Sequence, residues 1–352
     1  MPPVTIDGSL GITTPMYNGS ITANAVTPVT GFKNRIINGA MVIDQRNAGA
    51  STTPAVTYTL DRWQGVNTQA SKFTVQQNAG SVTPPVGFIN YLGVTSSSAY
   101  SVLTGDTFYM VQYVEGLNCS DLAWGTANAK TVTLSFQVYS SLTGTFGGSL
   151  ANSAGNRAYP FSYTISSANT WTSISVTITG DTTGTWLTTN GIGIQVRFGL
   201  GSGSTYTGTA GAWGTANATQ PTGSTSVVGT NGATFYITGV QLEVGSTATS
   251  FDYRPYGTEL ALCQRYYEVL TYNANSEIVS SYLLTGSFYK SYWYFKVNKR
   301  ASPTITLVSG SWTNQTPTAN PQVEAVLFVN SSGYFYASGT SGNVGLSASS
   351  EL

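Results

Sequence analysis

From residue 33 to about residue 255 the chain reads as short runs of Val, Ile, Thr, Tyr and Phe in period two, broken by Gly, Asn, Asp and Pro. Strand side chains alternate between faces, so such runs mark strands with one buried and one open side. The clearest is KTVTLSFQVY at 130–139, where Val132, Leu134, Phe136 and Val138 share a face. Others fall at 171–179, 193–200 and 234–244, separated by turn signals such as Thr179-Gly180-Asp181 and Thr230-Asn231-Gly232. The pattern predicts an all-β chain built on an antiparallel β-sandwich over 32–256.

Past the sandwich the period changes once. Leu260, Cys263 and Tyr267 recur at helical spacing, Thr258 is a capping residue type, and Glu259 suits the positive end of a helix, so a helix is predicted over 258–270 within a linker at 257–271. Alternation resumes at 288–297 and 322–329, giving a small C-terminal β domain at 272–352. Within FYKSYWYFKV, Trp293 and Phe295 fall on an inward face, leaving Tyr292, Tyr294 and Lys296 outward as candidate ligand contacts. Tyr-rich surfaces among Ser, Gly and Asn suit polar ligands, because a large rigid ring is ordered at little entropic cost. Residues 1–31 carry too few apolar positions for a core, but Val4, Ile6, Leu10 and Ile12 alternate; this segment reads as an extended docking arm, with a disordered tail as the alternative.

The string AWGTANA occurs twice, at 123–129 and 212–218. Both copies lie in Gly- and Thr-rich loops. The favoured reading is one shared tight turn with Trp124 and Trp213 packed back on the sandwich; the other presents both tryptophans as exposed stacking platforms. YTLDRW at 58–63 concentrates charge in a charge-poor chain. Asp61 and Arg62 are expected to form a structural ion pair with Trp63 in the core, the alternative being a ligand or metal site. Asp252, Arg254 and Glu259 in FDYRPYGTE are expected to lock in the same way, since charges that cannot be solvated must be paired.

Two segments carry a resemblance. FKNRIINGAMVIDQRNAGA (32–50) with YTLDRW, and QLEVGSTATSFDYRPYGTELALCQRYY (241–267), resemble the opening and closing of the bacteriophage tail-fibre-like virion proteins. Between them, KTVTLSFQVYSS, WTSISVTITGDTTGTW, GIGIQVRFGLGSG and FYITGVQLEVG are similar to the jelly-roll of many carbohydrate-binding modules, in which the final strand closes the sandwich beside the first. The resemblance implies a homotrimer outside the cell, docked by residues 1–31 to tail, baseplate or capsid proteins and presenting its β domains to host surface glycan. No repetitive shaft is present, so it implies a short fibre or appendage. A capsid decoration or head-fibre protein is the alternative, and a glycan-degrading tailspike a more distant one.

Composition trims this picture. Charged residues are 8% of the chain, against about 25% in ordinary globular proteins. The 14 basic and 14 acidic residues give no field to gather nucleic acid or anionic lipid. With no histidine, Ser-His-Asp and Cys-His catalysis and His-ligated zinc are unavailable. No phosphate loop, Ca²⁺ loop or strand-borne carboxylate pair stands out, so no enzymatic activity, cofactor or metal is expected. Cys119 and Cys263 read as buried small apolar residues, with a disulfide as the alternative. Neither a signal peptide nor a run of about 18 apolar residues is visible, which fits a virion location without membrane insertion.

Overall fold

A computed structural model describes residues 32–272, 282–285, 288–309, 311–313, 318–330, 336–338 and 344–352. The arm expected over 1–31 lies outside them. Ten strands come first: β1 Thr57–Leu60, β2 Trp63–Asn67, β3 Phe73–Gln77, β4 Leu92–Ser96, β5 Thr107–Glu115, β6 Val132–Ser140, β7 Gly144–Ala151, β8 Ala158–Ile165, β9 Thr172–Ile178 and β10 Ile192–Ser202. The short β11 Thr207–Gly208 and β12 Gln220–Pro221 precede β13 Thr234–Val244. They form an antiparallel sandwich of a six-stranded sheet, β1-β2-β5-β10-β7-β8, on a five-stranded sheet, β3-β4-β13-β6-β9, with β11 and β12 pairing separately.

The alternation read from the sequence builds the core. On β6, Val132, Leu134, Phe136 and Val138 are buried while Ser135, Gln137 and Tyr139 face outward. Phe136 meets Phe198 of the opposing sheet edge to face at 5.1 Å, and Trp63 joins them 6.0 Å from Phe198. Each fully buried side chain of this size contributes roughly 1.5–3 kcal/mol. The final strand does not close the sandwich beside the first. β13 lies inside its sheet between β4 and β6, and β1 belongs to the other sheet.

β13 also explains the charged motifs. Its register slips between Thr238 and Gln241, where Gly239 takes φ +61°. Beyond the slip the motif segment replaces β4 as neighbour: Arg35 N–H donates to the Leu242 carbonyl and Val240 N–H to that of Gly39. Asn34 completes the junction, accepting from Ile36 and Leu242 N–H through Oδ1 and donating to the Val240 carbonyl. Asp252 accepts the N–H groups of Lys33 and Asn34, while Arg254 pairs with Glu259 at 3.2 Å and donates to the Ile36 carbonyl. Segments 32–50 and 241–267 are therefore tied together in one knot.

Asp61 and Arg62 do not pair with each other. Arg62 takes φ +71° at the β1–β2 turn, and the two consecutive side chains diverge. Asp61 accepts from the backbone N–H and side-chain amide of Gln45, each at 2.7 Å. Arg62 reaches Glu351, stacks 3.5 Å from the Tyr266 ring and is 1% exposed. Trp63 is fully buried in the core. Cys119 and Cys263 are free and buried.

The helix is shorter and earlier than its periodicity predicts. α1 spans Tyr256–Gln264, with Pro255 rather than Thr258 at the cap. The chain then leaves as β14 Tyr267–Tyr272, because those residues pair along β22 Val344–Ser349. Between these lie β15 Tyr282–Thr285, β16 Phe288–Tyr294, β17 Thr304–Ser309, β18 Ser311–Thr313, β19 Thr318–Pro321, β20 Ala325–Asn330 and β21 Tyr336–Ser338. Sheets β14-β22-β17 and β15-β16-β20-β19 enclose Trp293, Val326, Phe328, Leu346 and Ala348, and β18 pairs with β21. Residues Lys33 to Leu352 form one compact unit. Arg265 to Glu115 and Arg46 to Glu351, both 2.7 Å, bind its two halves together.

Candidate functional site

The outward face of the five-stranded sheet is uncharged over most of its breadth and bounded by aromatic rings. Register sets its rows. Tyr236 of β13 is opposite Tyr139 of β6, Thr238 opposite Gln137, Gln241 opposite Ser135, and Ser173 and Ser175 of β9 continue the last two rows. From the Tyr139 row to the Thr133 row is about 20 Å at the usual strand rise.

At one end stands a cluster of four rings, of which Tyr91 and Tyr236 are buried and Tyr139 and Trp171 are half-buried. Tyr139 and Tyr236 stack at 5.3 Å and 5°, Tyr91 stacks on Tyr236 at 5.0 Å, and Trp171 packs 5.5 Å from both Tyr139 and Tyr91. The Tyr91 hydroxyl donates to the Ala79 carbonyl. Burial raises the Tyr91 and Tyr236 phenols above their ordinary value, so both stay neutral. Beside this cluster, Ser135, Gln137, Ser173 and Ser175 make a floor of hydroxyls and amides, with Gln137 Nε2 donating to Ser173 Oγ at 2.6 Å.

Two loops build a wall along this floor. Residues 82–90 are tied down by Trp171 Nε1 to the Thr83 carbonyl (2.9 Å), Thr238 Oγ1 to the Asn90 carbonyl (2.7 Å) and the Tyr253 hydroxyl to the Gly87 carbonyl (2.6 Å). Residues 245–254 fold back because Glu243 accepts from Thr249 N–H and Oγ1, and Gln241 Oε1 accepts Asp252 N–H. These ties bring Phe88, Phe251 and Tyr253 together, with ring centroids 4.8–5.6 Å apart. Floor and wall enclose a groove of about 460 Å³. Among the described residues lining it, none is charged. Such a site can stack a ring's apolar face and exchange hydrogen bonds with hydroxyl groups, and it offers no carboxylate pair for hydrolysis.

The residues singled out from the sequence lie elsewhere. Trp124 is 7% exposed; with Trp186 and Trp213 it forms a cluster of edge-to-face rings 4.7–5.4 Å apart. Trp124 and Trp213 donate their indole N–H groups to the Lys130 and Thr179 carbonyls, both at 2.8 Å; Trp124 is buried and Trp213 half-buried against it. The two AWGTANA copies do not share one turn: Gly125 takes φ +84°, whereas Gly214 bridges Ala158 in extended pairing. Arg157 and Asp181 brace the cluster with two hydrogen bonds, 2.6 and 2.9 Å. Tyr292 and Tyr294 do face outward, stacked at 5.9 Å, with Lys296 exposed beside them, but on β16 and the residues after it, outside the groove.

Asp61, Arg62, Trp63, Asp252 and Arg254 serve the fold as described above. Sequence reading missed the groove residues. Part of the signal was present, since the alternation that buries Val132, Leu134, Phe136 and Val138 also turns Ser135, Gln137 and Tyr139 outward.

No family model matches the chain, and no curated protein matches it. Solved structures do. The enzymatically active domain of tailspike protein 4 from bacteriophage CBA120 is 12% identical over 60% of this chain, with a TM-score of 0.32; this chain spans 21% of that one. A putative sugar-binding protein from Bacteroides thetaiotaomicron is 12% identical over 60% of this chain and all of its own, with a TM-score of 0.35. A family 11 carbohydrate-binding module from Clostridium thermocellum is 13% identical over 58% of this chain and all of its own, with a TM-score of 0.29. Likeness at this level carries no functional argument, and what the groove does is argued from its own side chains.

Proposed function

We propose that this chain is a non-catalytic glycan-recognition protein whose ligand lies along the outward face of the five-stranded sheet. One observation carries the reading: an uncharged floor of Ser and Gln side chains beside a wall of three aromatic rings, with the half-buried Tyr139 and Trp171 rings on the same face of the sheet. Sugars present an apolar face and a rim of hydroxyls, and this surface offers a partner for each. The side chains lining the groove are uncharged, which supports a neutral glycan as the ligand.

The carrier in this reading is a bacteriophage particle, on which the chain is a short tail fibre or fibre-like appendage docked through residues 1–31. The likeness of segments 32–50, 58–63 and 241–267 to tail-fibre-like virion proteins supports it. A homotrimer would place three weak grooves on one object and raise avidity without new contacts. Screening the intact protein on an array of bacterial surface glycans tests the recognition claim, which fails if no neutral glycan is retained. Imaging the particle tests the carrier, which fails if the chain is absent from external appendages.

A further inference from the structure

The aromatic wall has two sides. One faces the groove; the other closes a second cleft of about 220 Å³, whose further apolar lining is Ala40, Val42 and Ile89. Asp252, Arg254 and Glu259 stand at its polar end. Each has a partner within the chain: Arg254 lies 3.2 Å from Glu259, and Asp252 Oδ2 accepts the backbone N–H groups of Lys33 and Asn34 at 3.0 and 3.2 Å.

The geometry points to this cleft as a subsite for the acetamido group of a 2-acetamido sugar carried by the glycan in the groove. The inference rests on the glycan reading of the groove. A space of about 220 Å³ falls below the roughly 300 Å³ at which cavities begin to enclose a drug-sized ligand, so it admits a substituent rather than a run of sugars. An acetamido group has the matching polarity, a methyl for Ala40, Val42 and Ile89 and an amide for the polar end. A hydroxyl on the apolar lining would be left without a partner, which disfavours an unsubstituted sugar there. Continuity comes from Tyr253, which is 58% exposed and borders both spaces, so one sugar ring against it can reach either side.

Methyl-resolved NMR on the full chain tests this. N-acetylglucosamine, glucose and rhamnose are titrated separately while the methyl signals of Ala40, Val42 and Ile89 are followed. The expected result is a saturable shift with N-acetylglucosamine alone, lost in Ile89→Trp, a change at a position 76% exposed that fills the cleft mouth. Equal shifts with glucose, a response to rhamnose alone, or none with N-acetylglucosamine would overturn the inference. Ile174 on β9 reports the groove separately when a neutral glycan retained on the array is added. If it moves while the cleft methyls respond to no sugar, the subsite is wrong and the groove reading stands. If neither set moves with any sugar, both fail.

Discussion

The ring of Phe88 rests on Gly239, so close that a Cβ at position 239 would lie 2.5 Å from the ring's Cζ. Gly239 holds φ +61° at the register slip of β13, the point at which this strand exchanges β4 for the motif segment as its neighbour. The same glycine thus permits the slip and seats the wall of the groove. Gly239→Ala is expected to destabilise the protein by about 1–3 kcal/mol, from left-handed strain and overlap together. It should also weaken glycan binding by displacing Phe88, which thermal unfolding and titration calorimetry would read on one preparation.

Stacking at the two ends of the groove is expected to be separable. Tyr253→Ala removes an exposed ring whose hydroxyl holds the Gly87 carbonyl, and Trp171→Ala removes a half-buried ring of the four-ring cluster that holds the Thr83 carbonyl. Each aromatic contact of this kind contributes about 0.5–1.5 kcal/mol beyond area, so each variant should bind roughly twofold to twelvefold more weakly. Unchanged dissociation constants in both would remove the aromatic half of the proposal.

Arg62 and Glu351 pair across 289 residues, with their side chains 1% and 7% exposed. Glu351→Ala leaves a buried guanidinium without its carboxylate and is expected to cost about 3–5 kcal/mol in urea unfolding. Because Glu351 also pairs with Arg46, replacing all three by apolar residues, as in Arg46→Met and Arg62→Met with Glu351→Leu, should cost less than the single change. A triple variant as unstable as the sum of its singles would contradict the pairing.

Acid should unfold the protein partly through Glu115. Burial alone would raise its carboxyl, but hydrogen bonds from Arg265 and Tyr266 outweigh that and hold it below the usual range. Its stabilisation is therefore complete above the ordinary carboxylate value of about 4.3 and lost as pH falls through the depressed folded value. Asp61 acts in the opposite sense. Burial pushes it up to about 6, so its contribution is complete below about pH 4 and lost as pH rises through 6. Melting temperatures across pH 3 to 7 should show Glu115→Gln less stable than the native chain at neutral pH, with the gap closing toward pH 3.

What the sequence disclosed follows from how local each feature is. Alternation over 130–139 is a property of consecutive residues, and it placed the core face; the outward Ser135 and Gln137 follow from the same period but were not singled out. The end of α1 was not legible, because Leu260, Cys263 and Tyr267 fit a helix until Tyr267 to Tyr272 find β22. Arg62 and Asp61 were read as partners because they are neighbours, yet Glu351 and Gln45 are brought to them only by the fold. The groove wall was hidden for the same reason: Phe88 and Tyr253 sit in loops without periodicity and meet through hydrogen bonds to backbone groups far along the chain.

The most direct measurement is calorimetric titration of an array-selected neutral glycan into the native chain and into Ser175→Trp. Ser175 is an exposed floor position on the edge strand β9, so an indole there should fill the groove without touching the core. Saturable binding by the native chain, abolished in the variant at an unchanged melting temperature, is the predicted result. Equal binding by both proteins would contradict the assignment of the groove as the glycan site.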